Sequence, residues 1–372
     1  MNPLTRAAAG RRVVLGHDWL TGMRGGERVL ELHCEAFPEA PLAVLFGEPE
    51  RVSAAIRNRP LVTSQMQRIP GLLRYYRYLL PLMPSASRTV RVPPGDLLLT
   101  TSHCVAKAFR KTPGMRHLCY CFTPMRYAWL FSREYLGPVR ARLAEPLLAY
   151  LRHWDRKTSA GVDRFVAISH HVQDRISRFY GRESDVVYPP VDTDAFTPMP
   201  GVLRDGSYDL IVSALVPYKR VDLAVEAYRR LPGRTLKIVG AGTETAHLRA
   251  LAGDNVELLG WRSDDEVREL YRNCSMLLFP GEEDFGIVPL EAMACGRPVV
   301  AFRRGGATET VAENVSGLFF DEQSVESLAE AIARAADATW NPGDIRAHAE
   351  KFGVRRFLAQ MAECVERTLE QK

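Results

Sequence analysis

The chain has 372 residues, 46% hydrophobic and 25% charged, with a formal net charge of +5, the balance of a soluble protein long enough for two domains with separate cores. No apolar run approaches the roughly 20 residues that span a bilayer. The N-terminus MNPLTRAAAGRR lacks the apolar centre of a signal peptide, and seven scattered cysteines suit a reducing compartment, with the cytoplasm as default.

Charge is shared unevenly. Residues 1–200 hold 28 Lys and Arg against 17 Asp and Glu, and the remainder 21 against 27. The two halves are therefore expected to meet different partners. No nucleic-acid-binding motif accompanies the basic half, so nucleic acid is not expected. Arg12 to Gly16 reads as a first buried strand, and Gly22, Gly25 and Gly26 as a flexible turn feeding a helix from about Glu27. The spacing is not G-x-G-x-x-G and no acid closes a second strand, which argues against a dinucleotide site.

Residues 51–95 carry eight arginines and neither lysine nor acid. Within them MQRIPGLLRYYRYLLPLMP sets Leu72, Leu73, Tyr76, Leu79 and Leu80 near helical spacing, with Arg74 and Arg77 on another side. Pro70, Pro81 and Pro84 limit such a helix to about three turns. Residues 66–91 are thus expected to dock on an anionic membrane surface, making the protein peripheral at the inner face of the cytoplasmic membrane. A core helix with its arginines in water is the competing reading. Asp96 to Thr100 is a further strand, with His103 near its end, and Arg116 to Phe122 the next. His117, Cys119 and Cys121 share one face of it, but no second cluster of metal spacing lies nearby, so they are expected to pack rather than bind zinc.

After DRFVAIS and a helix, the paired prolines of VVYPPVDTDAFTP mark a linker at 191–198 between domains 1–190 and 199–345. Asp192-Thr193-Asp194 is formally D-x-D but ends no clean strand and reads as a turn. Tyr208 to Leu215 opens the second domain. The following helix buries Val221, Leu223, Ala224, Ala227, Tyr228 and Leu231, with Lys219 and Arg220 at its start. Two cations there oppose the helix macrodipole unless an anion lies close, and they suit a departing diphosphate. Strands at 235–239 and 256–261 alternate with helices, and SDDE at 263–266 is a capping box.

The densest stretch is LLFPGEEDFGIVPLEAMACGRPVVAFRRGGATE, residues 277–309. It reads as strand, acidic loop, short helix with Pro289 in its first turn, strand and Gly305-Gly306 turn. Free amides around Phe285, Gly286, Ile287 and Val288 can hold an anion at the helix start. Glu283 and Glu291 can accept hydrogen bonds from hydroxyls on either side, with Glu291 placed in the first turn.

Glu283 and Glu291, with seven residues between them, resemble the E-x7-E signature of retaining glycosyltransferases of the GT-B fold, family four, and the likeness runs through DFGIVPLEAMACGRPVVAFRRGGATETV. HDWLTGMRGGERVLE and CYCFTPMRYAW resemble mannosyltransferases of surface-polysaccharide assembly. The resemblance implies an α/β fold of two Rossmann-like domains facing across a cleft, with residues 346–372 crossing back to the first domain. It implies hexosyl transfer from a nucleotide sugar, with GDP-mannose favoured, to a glycan or polyprenyl-linked acceptor. Lys219 and Arg220 would stabilise the leaving diphosphate, Glu283 would orient the sugar and Glu291 the ribose. Phe285, Gly286, Ile287, Gly260, Trp261, Gly25 and Gly26 would line the donor, and His103, Arg126 and Trp129 the acceptor. No metal or cofactor is expected, since Lys219 can neutralise the charge. Two departures from the family pattern are Phe122, where relatives carry a histidine, and Ala214, where they carry an arginine. A non-catalytic membrane-docked partner subunit and a sugar-nucleotide epimerase are the alternatives.

Overall fold

The computed structural model describes residues 2–130, 137–199 and 207–370. The end of TPMRYAWLFSREYL, at 131–136, and residues 200–206 and 371–372 lie outside the described residues. The chain divides into two compact units, one of residues 1–189 with 357–372 and one of residues 190–356.

The first unit contains strands β1 (Val13–His17), β2 (Leu42–Val44), β3 (Leu61–Thr63), β4 (Leu97–Ser102), β5 (Arg116–Cys121), β6 (Arg164–Ala167) and β7 (Ser184–Val186). They form one parallel sheet in the order β3-β2-β1-β4-β5-β6-β7. Every residue of β1 and β4 is buried, as expected for central strands covered on both faces. The order reverses between β1 and β4, which pair along Val13–His17. Such a switch point opens a crevice at the carboxyl ends of the strands, where open α/β sheets bind ligands.

The glycines after β1 behave otherwise than the expected flexible turn. Gly25 and Gly26 are the first residues of a helix, Gly25–Ala36, because a residue without a side chain is tolerated in a first turn and the room is needed there. A Cβ on Gly26 would lie 3.3 Å from the Phe122 ring. The arginine-rich segment also departs from the expected three-turn helix. It breaks into short pieces, Gln65–Arg68, Leu72–Tyr75, Tyr76–Leu82 and Met83–Ser87. Gly71 sits in the left-handed region at φ 65°, and Pro81 and Pro84 remove amide donors from the ladder. Leu72 and Tyr76 turn inward, and Tyr76 packs on Trp19 and Phe46 at 5.6 and 5.5 Å.

The second unit contains β8 (Asp209–Val212), β9 (Leu236–Val239), β10 (Val256–Gly260), β11 (Leu277–Phe279), β12 (Val299–Phe302) and β13 (Gly317–Phe320), again all parallel, in the order β10-β9-β8-β11-β12-β13. Its switch point lies between β8 and β11. The helix Val221–Tyr228 buries Val221, Leu223, Ala224, Ala227 and Tyr228. Ser263 and Glu266 form the reciprocal capping box at the next helix, Asp264–Asn273. Pro342 and Gly343 do not break the chain but start the helix Pro342–Glu350, with Asn341 as cap, since the first turn needs no amide from Pro342. The last helix, Val354–Glu370, buries Phe357, Met361, Cys364, Val365 and Thr368. Within the first unit Phe357 packs on Tyr120 and His33 at 5.6 and 5.8 Å.

Candidate active site

The switch point of the second sheet gathers the acidic loop and the basic pair. The chain leaving β8 reaches Lys219 through a 3-10 turn, Pro217–Lys219, and Arg220 then adopts φ 51°. A non-glycine residue in that region is strained and is typical of a functional corner. Lys219 is ion-paired with Glu283, in the loop after the adjacent β11, and the two side chains are 13% and 24% exposed. Gly281 makes this meeting feasible, because a Cβ there would stand 2.8 Å from the Lys219 Cα. Gly305 and Gly306 serve the other side of the loop: Gly306 N donates to Glu283 O at 2.8 Å, and a Cβ on Gly306 would fall 2.2 Å from the Phe285 Cα. Three glycines thus clamp residues 282–285 by their lack of side chains.

The helix after this loop is Ile287–Ala294, capped by Gly286 at φ 96°. Its start corrects one expectation. Pro289 is the third helical residue and Glu291 the fifth, so Glu291 stands in the second turn. Pro289 is still accommodated, since the first four amides of a helix have no intrahelical acceptor. Ile287 and Val288 present such amides at the helix start, and Phe285, 4% exposed, points its ring toward Phe352 at 6.2 Å. The Tyr271 hydroxyl, wholly buried, donates to Glu291 Oε2 at 2.9 Å. Burial, followed by the nearby Glu291 charge, pushes the phenol well above its usual range, so it remains a donor. Arg220 is held in a fork by Asp222, with Nε–Oδ1 3.1 Å and Nη2–Oδ2 3.0 Å, and does not join Lys219 and Glu283. Gly260 and Trp261 lie at the carboxyl end of edge strand β10, two strands from β8, with Trp261 77% exposed. They share the sheet edge but not the Lys219–Glu283 cluster.

In the first unit His103 follows β4 and bonds Asp18, which follows β1, with Nδ1–Oδ2 2.9 Å. Arg126 opens a four-residue helix, Arg126–Trp129. Trp129 is committed elsewhere: it stacks on Phe179 at 4.5 Å, and its Nε1 donates to buried Asp155 at 2.8 Å. Asp155 also takes the Tyr180 hydroxyl at 2.9 Å and pairs with buried Lys107. The Trp129 indole N–H therefore has no spare hydrogen for an acceptor. Phe122 packs edge-on to Tyr120 at 5.6 Å, an apolar contact where the resemblance would place a histidine. His117 bonds Thr100 at 2.8 Å, and all seven cysteines are free and buried. Burial pushes the Cys119 thiol up to about 12. No group of three or more ligating side chains converges among the described residues. Asp192 Oδ1 accepts from the amides of Asp194 and Ala195 at 3.1 and 2.9 Å, closing a turn.

The family model described as "Glycosyl transferases group 1" matches residues 204–352, which contain Lys219, Arg220, Glu283 and Glu291. Residues 204–352 are thus similar to group 1 glycosyltransferases, and the two parallel α/β units have the GT-B fold. A GDP-mannose-dependent alpha-(1-6)-phosphatidylinositol monomannoside mannosyltransferase of Mycobacterium tuberculosis is 34% identical over 206 residues, 48% of this chain and 54% of that protein. An uncharacterized glycosyltransferase of Methanocaldococcus jannaschii is 29% identical over 188 residues, 49% of this chain and 52% of its own. The chain thus spans about half the length of the curated relatives it matches. Anabaena HepE in complex with UDP has the same fold, with a TM-score of 0.69 and 18% identity over 95% of this chain and 100% of its own. Gly25, Gly26, His103, Arg126 and Trp129 precede the segment matched by the group 1 model.

Three residues of these sites escaped the sequence. Tyr271 is a helix residue with nothing unusual around it, and only the fold carries its hydroxyl to Glu291. Asp222 two residues after Arg220 is a local signal that could have found that pair. Asp18, separated by His17 from the apolar run at 13–16, had a visible signal: an acid leaving a buried strand needs partners.

Proposed function

We propose that the chain is a retaining hexosyltransferase that moves a sugar, with mannose from GDP-mannose as the favoured donor, onto a hydroxyl of a glycan or polyprenyl-linked acceptor. The observation that carries this reading is the Lys219–Glu283 pair beside the amide-bearing start of Ile287–Ala294 at the second sheet's switch point. An ammonium has three hydrogens, so Lys219 can keep Glu283 while donating to a diphosphate oxygen. As the glycosidic bond breaks, negative charge grows on that oxygen, where a fixed cation and helix amides stabilise it. Glu283, held by Lys219 and by the glycine clamp, is positioned to accept from sugar hydroxyls. Glu291, oriented by Tyr271, is assigned to the ribose. The first unit would take the acceptor and the second the donor.

The mannosyltransferase relative, 34% identical, supports GDP-mannose, while the fold neighbour named with UDP makes uridine the competing base. A thermal-shift panel of GDP, UDP, GDP-mannose and UDP-glucose decides between them. At a hundredfold excess over Kd the native state gains about 2.7 kcal/mol. Stabilisation by GDP and GDP-mannose alone is the expected result; stabilisation by none of the four would overturn the reading.

We also propose a peripheral membrane association through residues 66–91. No helix among the described residues is long and apolar enough to cross a membrane. Tyr78 and Leu82 are 85% and 52% exposed, and Arg68, Arg74, Arg77 and Arg88 of the same segment are exposed as well. Rings and aliphatic groups beside arginines suit a headgroup boundary. A cleft of about 360 Å³ in the same segment is lined among others by Gln67, Leu72, Leu73 and Arg74.

A further inference from the structure

We infer that Asp18 and His103 form a dyad at the switch point of the first sheet, in which His103 Nε2 accepts a hydrogen bond from an acceptor sugar hydroxyl and Asp18 is its positioning residue. This rests on the glycosyl-transfer reading and names the group that holds the acceptor. Asp18 is the first residue after β1 and His103 the first after β4, and these strands are neighbours where the strand order reverses. That crevice is where a parallel sheet offers a ligand site.

Asp18 is fully buried and receives the amides of His103, Cys104, Val105 and Ala106 at 2.6, 3.0, 2.6 and 2.6 Å, with the Ser102 hydroxyl at 3.1 Å. Burial opposes its charge, but His103 and this set of donors outweigh it and hold the carboxyl well below the usual range. An ionised carboxylate only accepts. The hydrogen in the Asp18–His103 bond therefore sits on Nδ1, and in the neutral ring Nε2 is left with a lone pair. No bond to Nε2 is made among the described residues, and the His103 side chain is 30% exposed. The Trp19 ring meets it edge-on at 4.8 Å and 85°, which fixes its orientation.

Capping the 103–106 turn would account for the amide bonds, but not for a partly exposed imidazole bonded to the same carboxylate. The other titratable groups nearby are turned away. His17 Nδ1 bonds Thr101 Oγ1 at 2.7 Å and its Nε2 faces Glu27 at 3.9 Å. The buried network of Lys107, Asp155, Trp129 and Tyr180 is closed on itself. A nitrogen held in place at a sheet edge with its second ring position open suits a hydroxyl, which is the polar group a sugar presents.

Octyl α-D-mannopyranoside serves as the probe acceptor, with the nucleotide sugar chosen by the panel above. His103→Phe keeps a flat ring without the acceptor atom, and His103→Gln supplies an amide near the position of Nε2. His103→Phe should raise the acceptor KM about tenfold, as for one lost hydrogen bond, leave the donor KM unchanged, and be largely reversed in His103→Gln. Asp18→Asn should give the same acceptor defect, since an amide facing Nδ1 moves the hydrogen to Nε2. If that variant does not fold, long-range nitrogen NMR of the wild type decides, with an Nδ1–H ring expected whose Nε2 signal moves when the probe is added. An unchanged acceptor KM in His103→Phe, an Nε2–H ring, or a defect confined to the donor KM overturns the dyad. Failure of every nucleotide to bind overturns instead the transferase reading beneath it.

Discussion

Replacing Lys219 with alanine tests the centre of the proposed site. The side chain is 13% exposed and its partner Glu283 24%, so the pair sits in a medium far less polar than water. At an effective dielectric near 20, unit charges about 4 Å apart interact by roughly 4 kcal/mol, and a diphosphate oxygen joining Lys219 is subject to the same field. Losing one such stabiliser typically costs about 10²–10³ in rate, or roughly 2.7–4 kcal/mol. Lys219→Ala should therefore lower kcat by about two to three orders of magnitude and weaken nucleoside diphosphate binding. It also leaves Glu283 without its cation in a loop clamped by glycines. In consequence Lys219→Ala combined with Glu283→Gln should be much less than additive. The assay is release of nucleoside diphosphate under saturating donor, with calorimetry for the diphosphate and circular dichroism to confirm the fold. A folded Lys219→Ala enzyme with wild-type turnover would refute the charge assignment. Strict additivity in the double variant would show that the ion pair is incidental.

Glu283→Gln should lower turnover while leaving diphosphate affinity nearly unchanged, whereas Glu291→Gln should weaken both; Tyr271→Phe should follow Glu291 with a smaller loss, about 0.5–1.5 kcal/mol for one hydrogen bond. Calorimetry with bare diphosphate separates these roles, and a Glu283→Gln enzyme unable to bind it would reverse them. His33 is fully buried, with neither ring nitrogen bonded, and burial, then the His17 charge, lowers its pKa to about 3. A histidine whose folded pKa is depressed takes up its proton in the unfolded chain first, so stability should fall as pH drops from about 6.5 toward 3. His33→Phe, beside Phe357, should reduce that slope by up to about 1.4 kcal/mol per pH unit without loss at pH 7; an unaltered slope in pH-dependent urea melts would contradict it. Co-sedimentation should show binding to anionic vesicles that fades with salt and drops when Arg68, Arg74 and Arg77 become Glu; equal binding to neutral vesicles would remove the membrane from the proposal.

Features whose cause is local could be read from neighbouring residues. Apolar runs such as VVAF and LLLT could only be buried parallel strands, and Ser263 with Glu266 defined a helix start through bonds three residues apart. The acidic loop, its glycines and the following helix were legible because a turn, a cap and a free amide are properties of neighbouring residues. The tertiary structure alone decided whatever joins residues distant along the chain. Lys219 meets Glu283 because β8 and β11 are neighbours, and Asp18 meets His103 because β4 lies beside β1 after a long excursion. Tyr271 reaches Glu291 from a separate helix, and Leu72 and Tyr76 turned inward where spacing alone left both faces open. Strand order and packing set these meetings, and a periodicity of two or 3.6 residues carries no record of which strand will lie beside which.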